Sequence, residues 1–564
     1  MRLTSVLLTL GIAFVARPER SVEVGDDALF IGDPAALVAL EARGLDFMHV
    51  VGEAARAELQ RTIEKDIAEL TANPPPNDPR RAFRAEWLAR GAFELTGVVN
   101  RIDRRRFEPA ACGEVRLVYR LALTNEGRAT TRLPMTVNVR VPQPRDRGER
   151  DCKTVAERWL ARPDAAALVA ALPPPAQIEI NYQSTHTPAF RTDMDDSAEY
   201  VMRSFVVRNG RLTPDGLFDT PRPDADPAAL VRWIASHLEE IDAGTFTLPP
   251  ELLAERVDTV SPRGLERTQN RPWASLVDAE ALRALPLASL AHAKTPELLL
   301  RRLDEATCAG CHQTRGVAGF HLLGEDRGTS TFNAIALGPS PHFAKDLRWR
   351  RSDLLRAARG EPVEARPFAS FPDGKIDSDC GLARGYEAWG CEPGLVCRDV
   401  HHGALGLCAR AGSTLPGATC EDVSFVPDPR PEGPVVTAKK PDAACPAPTG
   451  AQKSGAFCAP NWLGFTGGMC SERCKKVGER RGDAICAALP SAGYEADCFF
   501  SNEPIERCLS RHLVTAWVQT CDADHLCRPD YGCARVAGAP KGTGACVPPY
   551  FIFQARVDGP RLDR

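Results

Sequence analysis

The sequence predicts a multidomain α+β protein in which three kinds of region follow one another. These are an N-terminal antiparallel β domain, a central and mainly helical domain, and a C-terminal disulfide-rich module with little regular structure. Apolar and polar residues alternate in segments between residues 93 and 208, helical spacing replaces this alternation after residue 225, and 16 of the 20 cysteines lie between Cys380 and Cys546. Hydrophobic residues make up 43% of the 564, enough for packed cores.

The first 16 residues have the pattern of a secretory signal peptide. Arg2 precedes an apolar run that ends at Arg17 and is too short to span a bilayer core. A buried first helix or strand is the alternative. We expect an exported protein (periplasmic, outer-surface or secreted) without a transmembrane segment, because no later run approaches 18 apolar residues. The net charge of −4 gives no basic surface for nucleic acid.

A helical N-terminal region is expected at residues 17–75, with one amphipathic helix from Ala54 to Leu70. An antiparallel β domain, as a sandwich or an open barrel, is expected at residues 76–220. Cys112 and Cys152 flank two of its strands and are a candidate disulfide. The predicted strands begin at Phe93, Glu114, Leu133, Gln177 and Glu199.

The central domain is expected at residues 225–360. A Pro- and Gly-containing linker (361–379) and the cysteine-rich module (380–564) follow it. The predicted helices are residues 227–241, 278–290, 296–306 and 352–358. Two basic runs, Arg104-Arg-Arg106 and Arg348-Trp-Arg-Arg351, are interpreted as solvent-exposed faces.

A weak repeat is visible in the cysteine-rich module. The spacing Cys391-x5-Cys397-x10-Cys408 is similar to Cys527-x5-Cys533-x12-Cys546, and one further cysteine precedes each group. Disulfides would replace the core that such a segment lacks. The spacing does not determine which cysteines pair.

One motif carries recognisable chemistry. Cys308-Ala-Gly-Cys311-His312 has the form of a c-type haem attachment site, and the predicted helix 296–306 leads directly into it. Two thiols at this spacing can each form a thioether with a haem vinyl group. The adjacent imidazole can then bind the iron as its proximal ligand.

The stretch from Thr307 to Gly324 resembles the cytochrome c family. The whole arrangement, a β-rich part, a single CxxCH segment and a cysteine-rich tail, resembles large secreted proteins of myxobacteria and related bacteria. The resemblance implies a haem c group anchored on Cys308 and Cys311, with His312 holding the iron. The arginines of the 348–351 run are then candidate contacts of the haem propionates.

The sixth iron ligand does not follow the usual pattern of that family, in which a methionine beyond the motif completes the coordination. Here the only methionine after Cys311 is Met469, in the tail. His342 is expected in its place, with His321 a close alternative. Met194 or Met202 could serve only if the β region folds back onto the motif. An open sixth position would instead allow a small ligand to bind.

The first functional hypothesis is an exported monohaem protein that transfers electrons or binds a ligand and carries accessory recognition modules. Its partners would be a redox protein or a small haem ligand, with a cell-surface partner for the tail. The alternative is a non-enzymatic secreted or surface binding protein in which Cys308–Cys311 is a structural disulfide. A zinc site and a redox dithiol are further readings of the cysteine pair. Whether the protein is an enzyme stays open.

Overall fold

The computed structural model describes the first 410 residues in part and only short strands beyond them. The described residues are 28–72, 81–83, 86–107, 110–124, 130–145, 151–161, 167, 172–187, 197–208, 211–216, 219–261, 270–309, 341–368, 372–375, 378–398, 405–410, 423–426, 435–438, 457–459, 469–471, 520–521, 532–535 and 544–547. The expected signal segment, residues 1–16, lies outside the described ranges.

Nine strands form the largest sheet. They are Phe30–Ile31 (β1), Arg81–Ala82 (β2), Ala92–Arg101 (β3), Ala111–Thr124 (β4), Thr130–Pro144 (β5), Gln177–Thr187 (β6), Ser197–Arg208 (β7), Arg211–Asp215 (β8) and Arg256–Ser261 (β9). The order is β1-β3-β4-β5-β6-β7-β8, with β2 paired to β6 and β9 paired to β7. Every pairing is antiparallel, which confirms the predicted antiparallel sheet.

The helices occupy both ends of this sheet region and the centre of the chain. They are Pro34–Leu40 (α1), Phe47–Val51 (α2), Glu53–Thr71 (α3), Glu86–Arg90 (α4), Lys153–Leu160 (α5), Pro227–Ser236 (α6), Leu238–Ala243 (α7), Pro272–Leu276 (α8), Pro296–Ala306 (α9) and Pro341–Ala358 (α10). The predicted helices at 54–70 and 296–306 are confirmed as α3 and α9.

One face of the sheet is apolar and packs against helices. Because alternate residues of a strand point to opposite faces, Leu117, Val139 and Ile180 share this side with their neighbours. Helices α1, α3 and α5 contribute to the same core, as does Leu354 of α10. The region is thus one sheet with a helical layer, and the expected sandwich or barrel is replaced by it. Strands β1 and β9 also extend the sheet beyond residues 76–220.

The opposite face of the sheet is polar and is also buried. On this face, Arg116 and Arg140 each form ion pairs with two carboxylates, those of Glu114 and Glu179. Alternation alone suggests that such residues face solvent. Here the segments that follow α7 and α9 cover this face, which explains how charged side chains come to lie inside the molecule.

A disulfide joins Cys112 of β4 to Cys152, the residue that precedes α5. The predicted pairing of these two cysteines is therefore confirmed. It fixes α5 to the sheet beside Trp159, whose indole nitrogen donates a hydrogen bond to Gln143 at 2.7 Å.

The central helices have a core of their own, built around Trp233, Trp273 and Leu303. Asp226 caps α6 by accepting hydrogen bonds from the backbone of Ala228 and Ala229. The helix predicted over 227–241 is two helices, α6 and α7. The two helices are separated by His237, whose φ of −129° lies outside the helical range.

The helix predicted over 278–290 is wrong. This segment contains two short 3₁₀ turns, Ala279–Leu282 and Leu287–Ser289. Pro286 separates them, because proline lacks the amide hydrogen that a continuous helix requires. Helix α10 begins well before the predicted residue 352.

The tail contains small antiparallel sheets. Strands Asp379–Gly381 (β10), Leu395–Arg398 (β11) and Leu405–Arg410 (β12) form the first, in the order β10-β12-β11. Two disulfides, Cys380–Cys397 and Cys391–Cys408, cross it. The disulfide-rich character predicted for the tail is confirmed here. Among the described residues, no helix combines the length and hydropathy needed to cross a membrane.

The remaining strands of the tail pair locally. Val423–Val426 (β13) pairs with Val435–Ala438 (β14), and Phe457–Ala459 (β15) pairs with Met469–Ser471 (β16). Thr520–Cys521 (β17), Gly532–Arg535 (β18) and Gly544–Val547 (β19) form a last sheet in the order β17-β19-β18.

Candidate functional site

The haem-attachment motif begins directly after helix α9. Thr295 caps the start of α9 by accepting a hydrogen bond from the Leu298 amide at 3.2 Å. Asp304, near the end of the helix, accepts a hydrogen bond from the Trp273 amide at 2.8 Å. The amide of Cys308 then contacts the Thr220 hydroxyl at 3.4 Å. These contacts hold the first cysteine of the motif, which is half-buried, against the segment that precedes α6.

Of the other predicted site residues, the structure describes the position of one. Cys311, His312 and His321 lie outside the described residues. His342 lies in the first turn of α10. The haem-binding roles of these residues therefore stay predictions.

Cys308 lines a cavity between the polar face of the sheet and the central helices. The cavity is rich in cationic side chains. Six arginines from widely separated segments line it: Arg101, Arg104, Arg116, Arg203, Arg302 and Arg366. Four acidic residues also line it, so the described wall has an excess of positive charge that favours an anionic group.

Most of these arginines have partners that fix their position. Arg101 pairs with Asp103, and Arg302 donates to backbone carbonyls, among them that of Ile241 at 3.2 Å. Arg366 reaches Asp346 at 3.5 Å. The cationic wall is therefore held in place by the fold before any ligand enters, which reduces the ordering cost of binding.

The two basic runs interpreted as exposed are partly buried. Arg104 lines the cavity, Arg105 forms an ion pair with Asp353 of α10, and Arg350 is 1% exposed. The sequence interpretation is therefore wrong for Arg105 and Arg350, and it holds for Arg106 and Arg351, which are exposed. Arg105 lies in a 3₁₀ helix, Ile102–Arg106, that contacts α10.

Met202 is brought to the motif by the fold. It lies on β7, and its side chain packs with Ala254, Val257 and Ala309, the second residue of the motif. Cys308 packs against the same cluster. The β region does fold back onto the motif at this point, which was the condition for considering Met202 as an iron ligand.

Three acceptor oxygens at the cavity have no donor within the described part of the chain. They are Oδ1 of Asn138, Asn181 and Asp219, and each is shielded from solvent. Buried acceptors in proteins are nearly always paired with protein or ordered water. A ligand or water molecules in the cavity would satisfy these atoms.

Asp219 has an unusual backbone and an unusual carboxyl. Its φ of 61° is the one positive value at a non-glycine residue among the described residues. Its carbonyl accepts a hydrogen bond from the Trp273 indole at 3.0 Å, which holds this conformation. Burial raises the pKa of its carboxyl to about 7, while Arg104, the Leu248 amide and Arg366 act in the opposite direction. Asp219 is absent from the candidate residues predicted from the sequence, because no local pattern marks it.

Asp219→Asn is expected to raise the free energy of unfolding at pH 8 by about 1–3 kcal/mol. At pH 5 the same substitution should change the free energy of unfolding little. The folded pKa of about 7 lies above the unfolded value, so the folded state favours the protonated carboxyl. That contribution is complete below pH 4 and is lost as the pH rises through 7. Asparagine tolerates a positive φ and stays neutral. Urea unfolding midpoints at the two pH values measure the effect.

The exposed Asp224 provides the control, since Asp224→Asn removes a carboxyl that pairs only with Arg222 at the surface. Burial also raises the pKa of Asp304 to about 7, so the Asp219 variant should reduce the pH dependence without abolishing it. An equal loss of stability at both pH values would show that the Asp219 carboxyl is ionised and paired in the folded protein.

Comparison with known proteins gives no match to a family model, to a curated protein or to a solved structure. The motif and the cavity beside it are the features of this chain that point to a function.

Proposed function

We propose that this chain is an exported c-type haem protein that transfers single electrons or binds a small ligand. Cys308 and Cys311 would be the thioether anchors of one haem c, and His312 the proximal iron ligand. When bound, the haem supplies one-electron chemistry and an iron atom that can take a sixth ligand. The tail and the β-sheet region would act as accessory recognition modules.

The observation that carries the proposal is the position of the motif. A capped helix ends at Ala306, and the CxxCH sequence begins two residues later at the edge of a cavity. An isolated structural disulfide would not need this cavity. The cavity also has buried acceptor oxygens that lack donors among the described residues, and a cofactor or its water molecules would supply these donors.

The cationic wall supports the same proposal, because haem carries two propionate carboxylates. Arg104 and Arg366 both line the cavity, and the positive charge of each acts to lower the pKa of Asp219. Guanidinium groups bind carboxylates through paired hydrogen bonds. We infer that arginines of this wall would bind the propionates, and that Met202 would supply the sixth iron ligand in preference to His342 or His321.

Four side chains would then act on the bound group in three different ways. Met202 would contribute a thioether sulfur from β7. The apolar neighbours Ala254 and Val257 would exclude water on that side. Asp219 would hold or release a proton near pH 7 inside the cavity. A carboxyl in the cavity wall that takes up a proton near pH 7 would reduce the negative charge next to a bound group.

The test is covalent attachment. The full chain, exported from a host that has a haem-maturation system, should keep a haem chromophore after denaturation. Replacing both anchors (Cys308→Ser with Cys311→Ser) should abolish it, because no thioether can form. Haem staining of a denaturing gel and the mass of the 308–312 peptide measure the outcome.

The control is His292→Gln, which changes an exposed histidine outside the motif and should keep the haem. A colourless wild-type chain with a Cys308–Cys311 disulfide would overturn the proposal. That result would favour the alternative, a non-enzymatic secreted or surface binding protein. The disulfides already present in the tail are compatible with either function.

A further inference from the structure

The sheet formed by β10, β11 and β12 has a defined relation between its strands and its cysteines. Cys380 lies opposite Gly406 in the strand register, and Cys397 lies opposite Cys408. The facing cysteines do not pair with each other. Cys380 bonds to Cys397, and Cys391 bonds to Cys408. In order along the chain, the first cysteine pairs with the third and the second with the fourth.

The last sheet of the chain repeats this arrangement. Its order, β17-β19-β18, corresponds strand for strand to β10-β12-β11. Cys521 lies opposite Gly544, and Cys533 lies opposite Cys546. The spacing that suggested a repeat in the sequence thus has a structural counterpart in topology and in register.

A third pair of facing cysteines occurs between these two sheets along the chain. Cys458 of β15 faces Cys470 of β16 in an antiparallel pair. A glycine stands two residues before the last cysteine in all three places: Gly406, Gly468 and Gly544. Two further cysteines, Cys420 and Cys445, lie between the first sheet and Cys458 in the sequence. Together with Cys458 and Cys470 they make a second group of four.

We propose that the tail contains three four-cysteine units with the same pairing, first to third and second to fourth. The unit at the end of the chain would have the disulfides Cys521–Cys533 and Cys527–Cys546. The middle unit would have Cys420–Cys458 and Cys445–Cys470, with the hairpin β13–β14 as an insertion between its first two cysteines. Cys420, Cys445 and Cys527 lie outside the described residues, so the pairing rests on the repeat.

The geometry of the first unit explains why this pairing would recur. The sulfur atoms of Cys380, Cys391 and Cys397 lie within 4.8 Å of one another, so its two disulfides pack together. The residue opposite Cys380 is a glycine, which has no side chain to occupy the space of the bridge. The same glycine is present opposite Cys521. Each new bond would release two protons and transfer two electrons to a disulfide-type oxidant of the exported compartment.

This pairing would stabilise each unit. A disulfide that closes a loop of about 15 residues contributes roughly 3 kcal/mol through the unfolded state. The tail has few residues available for a large apolar core, and the bridges would replace that core. The remaining four cysteines, Cys474, Cys486, Cys498 and Cys508, would then pair among themselves.

The experiment is disulfide mapping of the exported full chain under non-reducing conditions. Asp-N protease cuts between Cys521 and Cys527 and between Cys527 and Cys533, and trypsin cuts between Cys533 and Cys546. Trypsin and chymotrypsin together separate the cysteines of the middle unit. The bridges Cys380–Cys397, Cys391–Cys408 and Cys112–Cys152 serve as internal references in the same digest.

We expect the linked peptides Cys521/Cys533 and Cys527/Cys546, and Cys420/Cys458 with Cys445/Cys470. Linked peptides Cys533/Cys546 or Cys458/Cys470 would overturn the proposal for the unit concerned. A second measurement uses Cys521→Ser, which should leave a thiol that can be alkylated at Cys533. Alkylation at Cys527 in this variant would also contradict the proposed pairing.

Discussion

Glu114→Gln is expected to destabilise the protein by about 3–5 kcal/mol, the largest effect we expect from one substitution. Glu114 is 1% exposed and lies on the polar face of the sheet. Its carboxylate accepts hydrogen bonds from Arg116 and Arg140, each at 2.6 Å, and lies 3.8 Å from Arg104. A neutral side chain at this position would leave Glu179 as the carboxylate that balances the buried guanidinium groups of Arg116 and Arg140.

The pKa of Glu114 agrees with this arrangement. Burial alone would raise it, but Arg140, Arg116 and Arg104 together hold the pKa well below its ordinary value. The folded state therefore binds a proton less readily than the unfolded state. The stabilising contribution is complete above the unfolded pKa of about 4 and is lost as the pH falls below it. Wild type should lose stability on acidification, and Glu114→Gln should lose less.

The matched control is Glu157→Gln on α5. Glu157 is 55% exposed and forms a surface pair with Lys153 at 3.9 Å, so its loss should cost less than about 0.5 kcal/mol. Urea unfolding followed by far-UV circular dichroism compares the variants at pH 7. If the free energy of unfolding of Glu114→Gln stays within about 1 kcal/mol of wild type, Glu179 alone neutralises the arginines. The role assigned to Glu114 is then wrong.

The same polar face shows what the sequence can and cannot predict. Alternation correctly assigns Arg116, Asn138 and Glu179 to the side of the sheet opposite the apolar core. It gives no information about what covers that side. The covering residues, such as Thr245 and Ala306, come from segments far away in the chain. Periodicity therefore predicts which residues share a face, and tertiary packing decides whether solvent reaches it.

Local signals predicted the site only in part. Pro296 at the start of α9 and the polar residue before it identify the helix that leads into the motif. The cavity could not be predicted, because Met202 and Asp219 reach it through strand register and a positive φ, and neither is visible in a local pattern. The helix predicted over 278–290 is wrong for a different reason. The apolar spacing of this segment is helical, but Pro286 interrupts the helix.

With Met202 as the sixth ligand of the proposed haem, Met202→Leu is expected to lower the reduction potential of that haem and to change its absorption spectrum. The expected fall is a substantial part of the roughly 0.8 V range that axial ligands span. Leucine keeps most of the volume and the apolar character of methionine, so contacts with Ala254 and Val257 should survive. Only the thioether sulfur is removed. Spectroelectrochemical titration of the purified protein measures both quantities.

Met135→Leu is the matched control. Met135 is also a buried methionine of the same sheet, but it lies on β5 among the residues of the apolar core, on the side away from the motif. Its replacement should leave potential and spectrum unchanged. If Met202→Leu also leaves both unchanged while the covalent haem is present, Met202 is not a ligand. His342→Gln is the variant that should then show the shift, since α10 would have to bring the second imidazole to the iron.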